Sequence, residues 1–431
     1  MNKPRRVAIT GVGMVTPVGL NATSTWNSLL ASQSGIRKIQ GFDASGFPTQ
    51  IGAEVKGFNP DSLPGDRKLL KYAARAHLFA FSAAEEALAD AGIRPTPQTA
   101  NRWGCSLGAG MMGVTYEELE TVQRVCAPQG EFQPEKLTSP EFPVDPVAFC
   151  RTQTNAGLAI VTQRFGIQGY ATAVHTACAS GGQAVGTALK ILRRGLADCV
   201  LTGGFDSMLN PMGLSAFCLL GALSTDNDNP ERASRPFDVT RNGFVLGEGA
   251  GFLVLEDWDH AQQRGARIYA ELAGDGNSLS SYRITDSHPS GDGPIQAMHQ
   301  ALHDAQLTPA DIDYINAHGT STPMNDRSEC AAIRSVLGDH TSRVSVSSTK
   351  SCMGHLIAAA GAVEAGVCAL AIHHGIAPVN ANWAEPDPNC DVNLVLKEPK
   401  HQPIRAILSN SLGFGGSNSC LAFRHPNGGA Q

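Results

Sequence analysis

The sequence predicts an α/β protein made of two similar halves packed as layered sheets. Three observations carry that prediction: short apolar runs alternate with helix-period stretches, some segments recur within the chain, and 431 residues are enough for two or three domains around a large core. The runs VAIT, WGCSLG, CVLTGG, GFLVLE, IYAEL, DYINAHG, RVSVSS and RAILSNS are short and continuous, as strands covered on both faces require. Between them lie helical stretches such as AARAHLFAFSAAEEALADAG.

The recurring segments align the halves. ALADAGIRP (87–95) resembles ALHDAQLTP (301–309), each closing a helical stretch ahead of a predicted strand. Glycines at 181, 186 and 195 return with the same spacing at 361, 366 and 375. RRVAITGVG (5–13) and RIYAELAGDG (267–276) both read as strands running into glycine turns. The first pair is offset by 214 residues and the second by 180, so the N-terminal half carries an insertion between them. Its expected site is 126–147, where five prolines forbid regular structure and predict an extended surface loop. The join is expected near 257–267, giving units of 1–256 and 257–431.

Composition narrows the function classes. Hydrophobic content of 42% and charged content of 17% describe a folded globular chain. A net charge of −6 leaves no basic excess to neutralise phosphates, which argues against nucleic-acid binding. The eleven cysteines are scattered from Cys105 to Cys420 with no CxxC pair, so reduced thiols in the cytoplasm are expected. At the N-terminus basic residues precede an apolar run, but Gly11, Gly13 and Pro17 interrupt it, favouring a strand over a signal peptide. No window approaches the roughly 20 uninterrupted apolar residues of a membrane span.

Cys178 is the most informative residue. It lies in TACASGG (176–182), just ahead of a helical stretch with Val185, Leu189 and Leu192 on one face and Arg193 and Arg194 in the last turn. A thiol at a helix N-terminus feels the positive end of the dipole, which predicts a pKa below the free value of about 8.5. The small neighbours Ala177, Ala179, Ser180 and Gly181 leave room for a substrate. A lone cysteine is more often a buried structural residue, but two histidine loops reverse that expectation. His318, in NAHGTSTPMND (316–326), ends an apolar strand and opens a polar loop, where α/β sheets place chemistry. Lys350 and His355 share SSTKSCMGHLIAAAGAVE (347–364), ahead of an Ala/Gly-rich helix. NSLGFGGSN (410–418) sets Gly413, Gly415 and Gly416 around Phe414. The GAGMMG segment (108–113) satisfies G-x-G-x-x-G, yet it does not open the first βαβ unit and is a weak dinucleotide signal among 46 glycines.

Together these four motifs resemble the β-ketoacyl-acyl carrier protein synthases, the decarboxylating Cys–His–His condensing enzymes of fatty-acid and polyketide assembly. The likeness also takes in SRPFDVTRNGFVLGEGAGFLVLE (234–256) and spans nearly the whole chain. A lysine five residues before the second histidine separates this branch from thiolases and from Cys–His–Asn condensing enzymes. A thiolase would need a second catalytic cysteine, and Cys420 stands in the wrong context; a chain-length partner subunit would lack Cys178. The resemblance implies a thiolase-like duplicated fold layered α-β-α-β-α. It implies an acyltransferase that condenses an acyl thioester with malonyl carrier protein in fatty-acid elongation; the alternative is the ketosynthase subunit of a type II polyketide or polyene system, paired with a chain-length partner.

The resemblance also assigns roles. Cys178 would accept the acyl group, His318 and His355 would donate hydrogen bonds to the thioester oxygen, and Lys350 would support them electrostatically. Backbone N–H groups of Cys178 and Phe414 would form the oxyanion hole, with Phe414 as a gate. Thr320, Thr322, Gly413 and Gly415 would line the substrate path, and Asp326 and Glu329 would orient the loops. Met111 would set acyl length or merely fill core. Asn316 and Glu364, with backbone groups of Ser409 and Asn410, form either a buried polar cluster or a structural sodium or potassium site; no catalytic metal or other cofactor is implied. The partner would be an acidic acyl carrier protein, so an acidic chain needs a local basic patch. Arg67, Lys68, Lys71 and Arg75 are the candidates, with 67, 71 and 75 spaced to share a helix face, unless that face is simply solvated. A homodimer or a heterodimer with a homologous subunit is expected, without membrane. Leu412 and Ser417 stand where the family usually has phenylalanine and threonine, which bears on substrate shape.

Overall fold

Ten strands form one hydrogen-bonded sheet whose two halves repeat the same topology. The computed structural model describes residues 5–63, 67–110, 115–139, 142, 146–285 and 288–428. The first half contributes β1 (Val7–Val15), β2 (Trp103–Ala109), β3 (Ala171–Val174), β4 (Cys199–Ser207) and β5 (Glu248–Asp257). The second contributes β6 (Ala270–Leu279), β7 (Tyr314–Asn316), β8 (Ser345–Ser347), β9 (Ala406–Leu412) and β10 (Ser417–Arg424). Spatial order is β3-β2-β4-β5-β1 in one half and β8-β7-β9-β10-β6 in the other. In each half three strands run parallel and the last two pair antiparallel. The halves meet where Ala8 pairs with Glu271 and Ile9 with Ala270, so the expected layered sheets are continuous through a short seam.

Helices complete the layers. The outer helix α1 (Arg75–Ala91) covers β1, β5 and β4, while α2 (Ser180–Arg193) lies inside. Its counterpart on the other outer face is α3 (Asp292–Ala305), covering β6, β10 and β9, with α4 (Pro323–Leu337) beside it. The inner partner of α2 is α5 (Ala360–His374), and the two cross between the half-sheets. The result is the α-β-α-β-α order. Residues 357–374, with mean hydropathy 1.4, are long and apolar enough to cross a membrane, but 89% of that stretch is buried here. A helix apolar all round is what a central layer needs.

The glycines of RRVAITGVG and RIYAELAGDG have a packing cause, and it corrects the sequence expectation. They sit inside β1 and β6, not in turns after them. A Cβ on Gly11 would stand 2.1 Å from the Ala87 carbonyl oxygen, and one on Gly276 2.0 Å from that of Ala297. Each outer helix therefore lies directly against the strand backbone, and the helix segments ALADA and ALHDA are its matching faces. The proline-rich insertion also differs from the expectation: Pro134–Thr138 forms a 3₁₀ turn and a short helix starts at Pro146. Proline at the first helical turn loses nothing, since that N–H has no intrahelical partner.

Candidate active site

Cys178 sits where β3 turns into α2, in a single 3₁₀ turn, Ala177–Ala179. Ala177 adopts φ +50°, a left-handed conformation that costs a non-glycine residue about 1–2 kcal/mol. Ser180 braces the turn: its hydroxyl donates to the Ala177 carbonyl at 2.7 Å and accepts the Thr176 N–H at 2.8 Å. The lowered thiol pKa expected from the helix start is not what the site produces. Burial pushes the Cys178 thiol up to about 12; the Lys350 charge and the N–H groups of Phe414 and of Cys178 itself pull the other way, and the Asp206 charge adds to the rise. Desolvation of a thiolate outweighs the dipole here. The same two N–H groups, aimed at the sulfur, are those expected of an oxyanion hole.

His318 leaves the end of β7, and Glu329 on α4 holds its backbone. The Glu329 carboxylate accepts the N–H groups of His318 at 2.8 Å and Gly319 at 2.7 Å, and the Asn410 amide at 3.1 Å. Burial still lifts Glu329 to about 7. Arg241, whose side chain is 2% exposed, steadies the far end of the loop by donating to the carbonyls of Thr322 at 3.2 Å and Pro323 at 3.1 Å and to Asp387 at 2.8 Å. Asp326 accepts the Phe237 N–H at 2.8 Å.

His355 is fixed from both sides by backbone, through Val245 at 2.7 Å and Gly247 at 2.9 Å. Its Nδ1 accepts the Ile357 N–H at 3.2 Å, which places the single proton of the neutral ring on Nε2. That Nε2 is buried and has no hydrogen-bond partner among the described residues, as is Nδ1 of His318. Burial, and then the Lys350 charge, hold both histidines well below their ordinary 6.5, so both are neutral. One side-chain atom from each of Cys178, His318 and His355 falls within 4.8 Å of the others.

Lys350 is no surface lysine. Its ammonium forms a buried ion pair with Glu364, both side chains 2% exposed. Glu364 Oε2 and Asn316 Oδ1 are buried without a hydrogen-bond partner among the described residues, while Ser409 pairs with Asn316 across β9 and β7. Two orphaned hard oxygens in one polar cluster fit a sodium or potassium ion. Asn410 turns its side chain to Glu329, leaving only its backbone for that role.

Phe414 lines a cavity of about 320 Å³ together with Cys178, both histidines, Thr320 and Thr322. The two threonine hydroxyls are 2.9 Å apart. Gly413 is glycine because a Cβ would lie 2.9 Å from the Thr176 carbonyl oxygen and 3.3 Å from the Cys178 nitrogen. Gly415 (φ +78°) donates its N–H to the Ile284 carbonyl at 2.7 Å. Phe414 stacks on Phe217 at 6.5 Å, Phe217 meets Phe244 at 5.4 Å, and Phe244 meets His355 at 5.3 Å.

The basic patch is not one helix face. Residues 67–72 form a 3₁₀ helix, and α1 starts only at Arg75. Arg75 pairs with Glu248 at 2.6 and 2.9 Å yet keeps its side chain 51% exposed, and Lys68 and Lys71 are exposed as well. Met111 and the Arg67 side chain lie outside the described residues. Sequence reasoning missed Asp206, Phe217, Phe244 and Arg241. Asp206 carried a signal, a lone acid closing the apolar run CVLTGG at a strand end; the two phenylalanines carried none.

Comparison with known proteins agrees in both halves. Residues 4–261 match the family model for the beta-ketoacyl synthase N-terminal domain, and 269–384 that for its C-terminal domain. A 3-oxoacyl-[acyl-carrier-protein] synthase 2 of Coxiella burnetii is 39% identical over 97% of this chain and 98% of its own length. The mitochondrial 3-oxoacyl-[acyl-carrier-protein] synthase of Arabidopsis thaliana is 40% identical over 97% and 93%. Among solved structures, a type II polyketide ketosynthase in complex with its acyl carrier protein, bound to the hexaketide, superposes with TM-score 0.86 at 33% identity, covering 98% of this chain and 99% of that one. A beta-ketoacyl synthase from Burkholderia phymatum gives TM-score 0.86 at 32% identity, with coverage of 98% and 99%. The chain belongs to the beta-ketoacyl synthase family, with the thiolase-like fold of its condensing enzymes.

Proposed function

We propose that this chain is a 3-oxoacyl-acyl carrier protein synthase that elongates fatty acyl chains by decarboxylative condensation. The observation that carries the reading is the convergence of a buried thiol and two neutral imidazoles on one cavity, with two backbone N–H groups aimed at the sulfur. In the first half-reaction Cys178 sulfur bonds to the acyl carbon, the carrier thiol leaves, and the cysteine proton passes to it. In the second, the bond between the malonyl methylene and its carboxylate breaks and carbon dioxide departs. His318 and His355 donate hydrogen bonds to the enolate oxygen that forms. The enolate carbon then attacks the acyl carbonyl, the carbon–sulfur bond breaks, and Cys178 regains a proton from solvent.

Other parts of the reading follow from the same site. Arg67, Lys68, Lys71 and Arg75 meet an acidic carrier protein. Asn316, Glu364, Ser409 and Asn410 hold a structural monovalent cation. Two copies, or a copy and a homologous subunit, form a dimer. A reducing cytoplasmic setting accords with eleven unpaired cysteines. The ketosynthase subunit of a type II polyketide system is the second reading, favoured by the carrier-bound relative of that kind. Purified protein given acyl and malonyl carrier proteins should release carbon dioxide and 3-oxoacyl carrier protein in equal amounts. Intact-mass analysis should place one acyl adduct on Cys178, absent in Cys178→Ala; an adduct retained there sinks the assignment. Turnover only after adding a homologous subunit would favour the second reading.

A further inference from the structure

β4 ends on a buried carboxylate that reaches into the other half of the molecule. Asp206 is fully buried, and its Oδ2 accepts the Ala358 N–H at 3.1 Å. Gly110 makes room for it, since a Cβ there would stand 2.0 Å from the same oxygen. Ala358 is the middle residue of the 3₁₀ turn Ile357–Ala359, which links His355 to α5. The first residue of that turn, Ile357, adopts φ +48° and gives its N–H to His355 Nδ1 at 3.2 Å. A left-handed isoleucine persists only where its surroundings over-determine it. Asp206 supplies such a restraint one residue downstream, from a separate strand.

The two turns are also counterparts. With the 180-residue offset of the glycine repeat, Ala177 matches Ile357 and Cys178 matches Ala358; both leading residues are left-handed. The N–H of Cys178 faces its own sulfur, whereas that of Ala358 is taken by Asp206. One copy of the turn presents a nucleophile, and the other anchors a histidine.

We infer that Asp206 is a positioning residue for His355: by anchoring the Ala358 N–H it keeps the Ile357 N–H on Nδ1 and so keeps the imidazole proton on Nε2. This rests on the role proposed above for His355 in decarboxylation. It requires only that residue 206 offer a hydrogen-bond acceptor. Asparagine should therefore serve and alanine should not.

The test combines a tautomer measurement with split kinetics on the full chain. In ¹⁵N-histidine spectra, with His355 assigned by its loss in His355→Ala, parent and Asp206→Asn should show protonated Nε2 and acceptor Nδ1. Asp206→Ala should show mixed tautomers. Carbon dioxide release from malonyl carrier protein should fall on the order of 100-fold in Asp206→Ala, the scale of a small misplacement of a reacting group. Acyl loading of Cys178 should hold in both variants, and Asp206→Asn should track the parent. An Asp206→Ala variant with parental tautomer and decarboxylation overturns the inference. So does Asp206→Asn that loses the tautomer, or loses loading and decarboxylation together; that variant decides the matter should alanine fail to fold. His355→Ala run in parallel separates the two ideas. If it decarboxylates normally the role of His355 falls, whereas an inactive His355→Ala beside a parental Asp206→Ala removes only the part given to Asp206.

Discussion

The imidazoles of His318 and His355 meet edge to face, ring centroids 5.2 Å apart and planes 83° from parallel. They come from different loops and are positioned differently: the Glu329 carboxylate accepts the backbone N–H of His318, and the Ile357 N–H donates to the His355 ring. Each is therefore fixed independently of the other and of Cys178. Such preorganised neutral donors suit charge that develops on an oxygen placed between them.

Replacing either histidine with alanine should lower malonyl decarboxylation by about 10²–10³, or roughly 3–4 kcal/mol, the usual loss of one such donor. Acyl loading of Cys178 should survive. Isotope-traced carbon dioxide release and intact mass measure the two steps separately. Near-parental release from both variants would remove the roles assigned here.

The two half-reactions should also respond differently to pH. With its thiol held up at about 12, Cys178 is neutral near neutrality, and acyl loading should climb with pH as the thiolate fraction grows. The histidines lie well below 6.5, so decarboxylation should stay level across neutrality and fall only in acid. For stability the sign is set by proton uptake. The unfolded chain binds protons below 6.5 that the buried rings refuse, so unfolding free energy should drop as pH falls through that value. A His318→Gln/His355→Gln double variant should show less of that drop; an unchanged slope in denaturant titrations would count against the neutral pair.

Lys350 and Glu364 allow stability to be separated from activity. Removing one member of a buried pair leaves the other charge unpaired, so Lys350→Ala should destabilise the fold by about 3–5 kcal/mol. Replacing both, as Lys350→Met with Glu364→Leu, should restore most of that loss, because apolar replacement of a whole buried pair is often neutral. Decarboxylation should remain impaired in the double variant if the cation steadies the histidines. Chemical denaturation and carbon dioxide release together decide it.

Much of this architecture was legible in the residues because the strands are short and continuous and the glycines recur. The glycines of RRVAITGVG and RIYAELAGDG were read as turns, since sequence alone does not show that an outer helix presses on β1 at Gly11 and on β6 at Gly276. β3 and β10 went unpredicted: ATAV is only four residues long, and SNSCLAFR follows the glycine loop so closely that it read as its tail. Cys178, His318, His355 and Lys350 announced themselves through motif context. The thiol pKa did not, because burial is a property of packing and it reversed the sign that the helix start suggests. The shared helix face expected for the basic residues did not form for a local reason, a 3₁₀ segment that breaks the four-residue spacing before α1 begins.

Phe414 should act as a gate that senses acylation. Its loop holds two left-handed glycines, Gly415 and Gly416, so the backbone can swing with little steric penalty, and its ring rests on Phe217. From Phe217 the contacts run through Phe244 to His355, so a displaced ring frees space beside the donor that the second substrate needs. Phe414→Ala should let malonyl carrier protein bind before acylation, seen as carbon dioxide release without acyl donor and as loss of strict ping-pong order. Phe217→Ala, which removes the ring's rest but not the ring, should show the same effect more weakly. Unchanged order in both variants would show that the aromatic chain is packing alone. A change in Phe414→Ala without one in Phe217→Ala would confine the gate to the glycine loop.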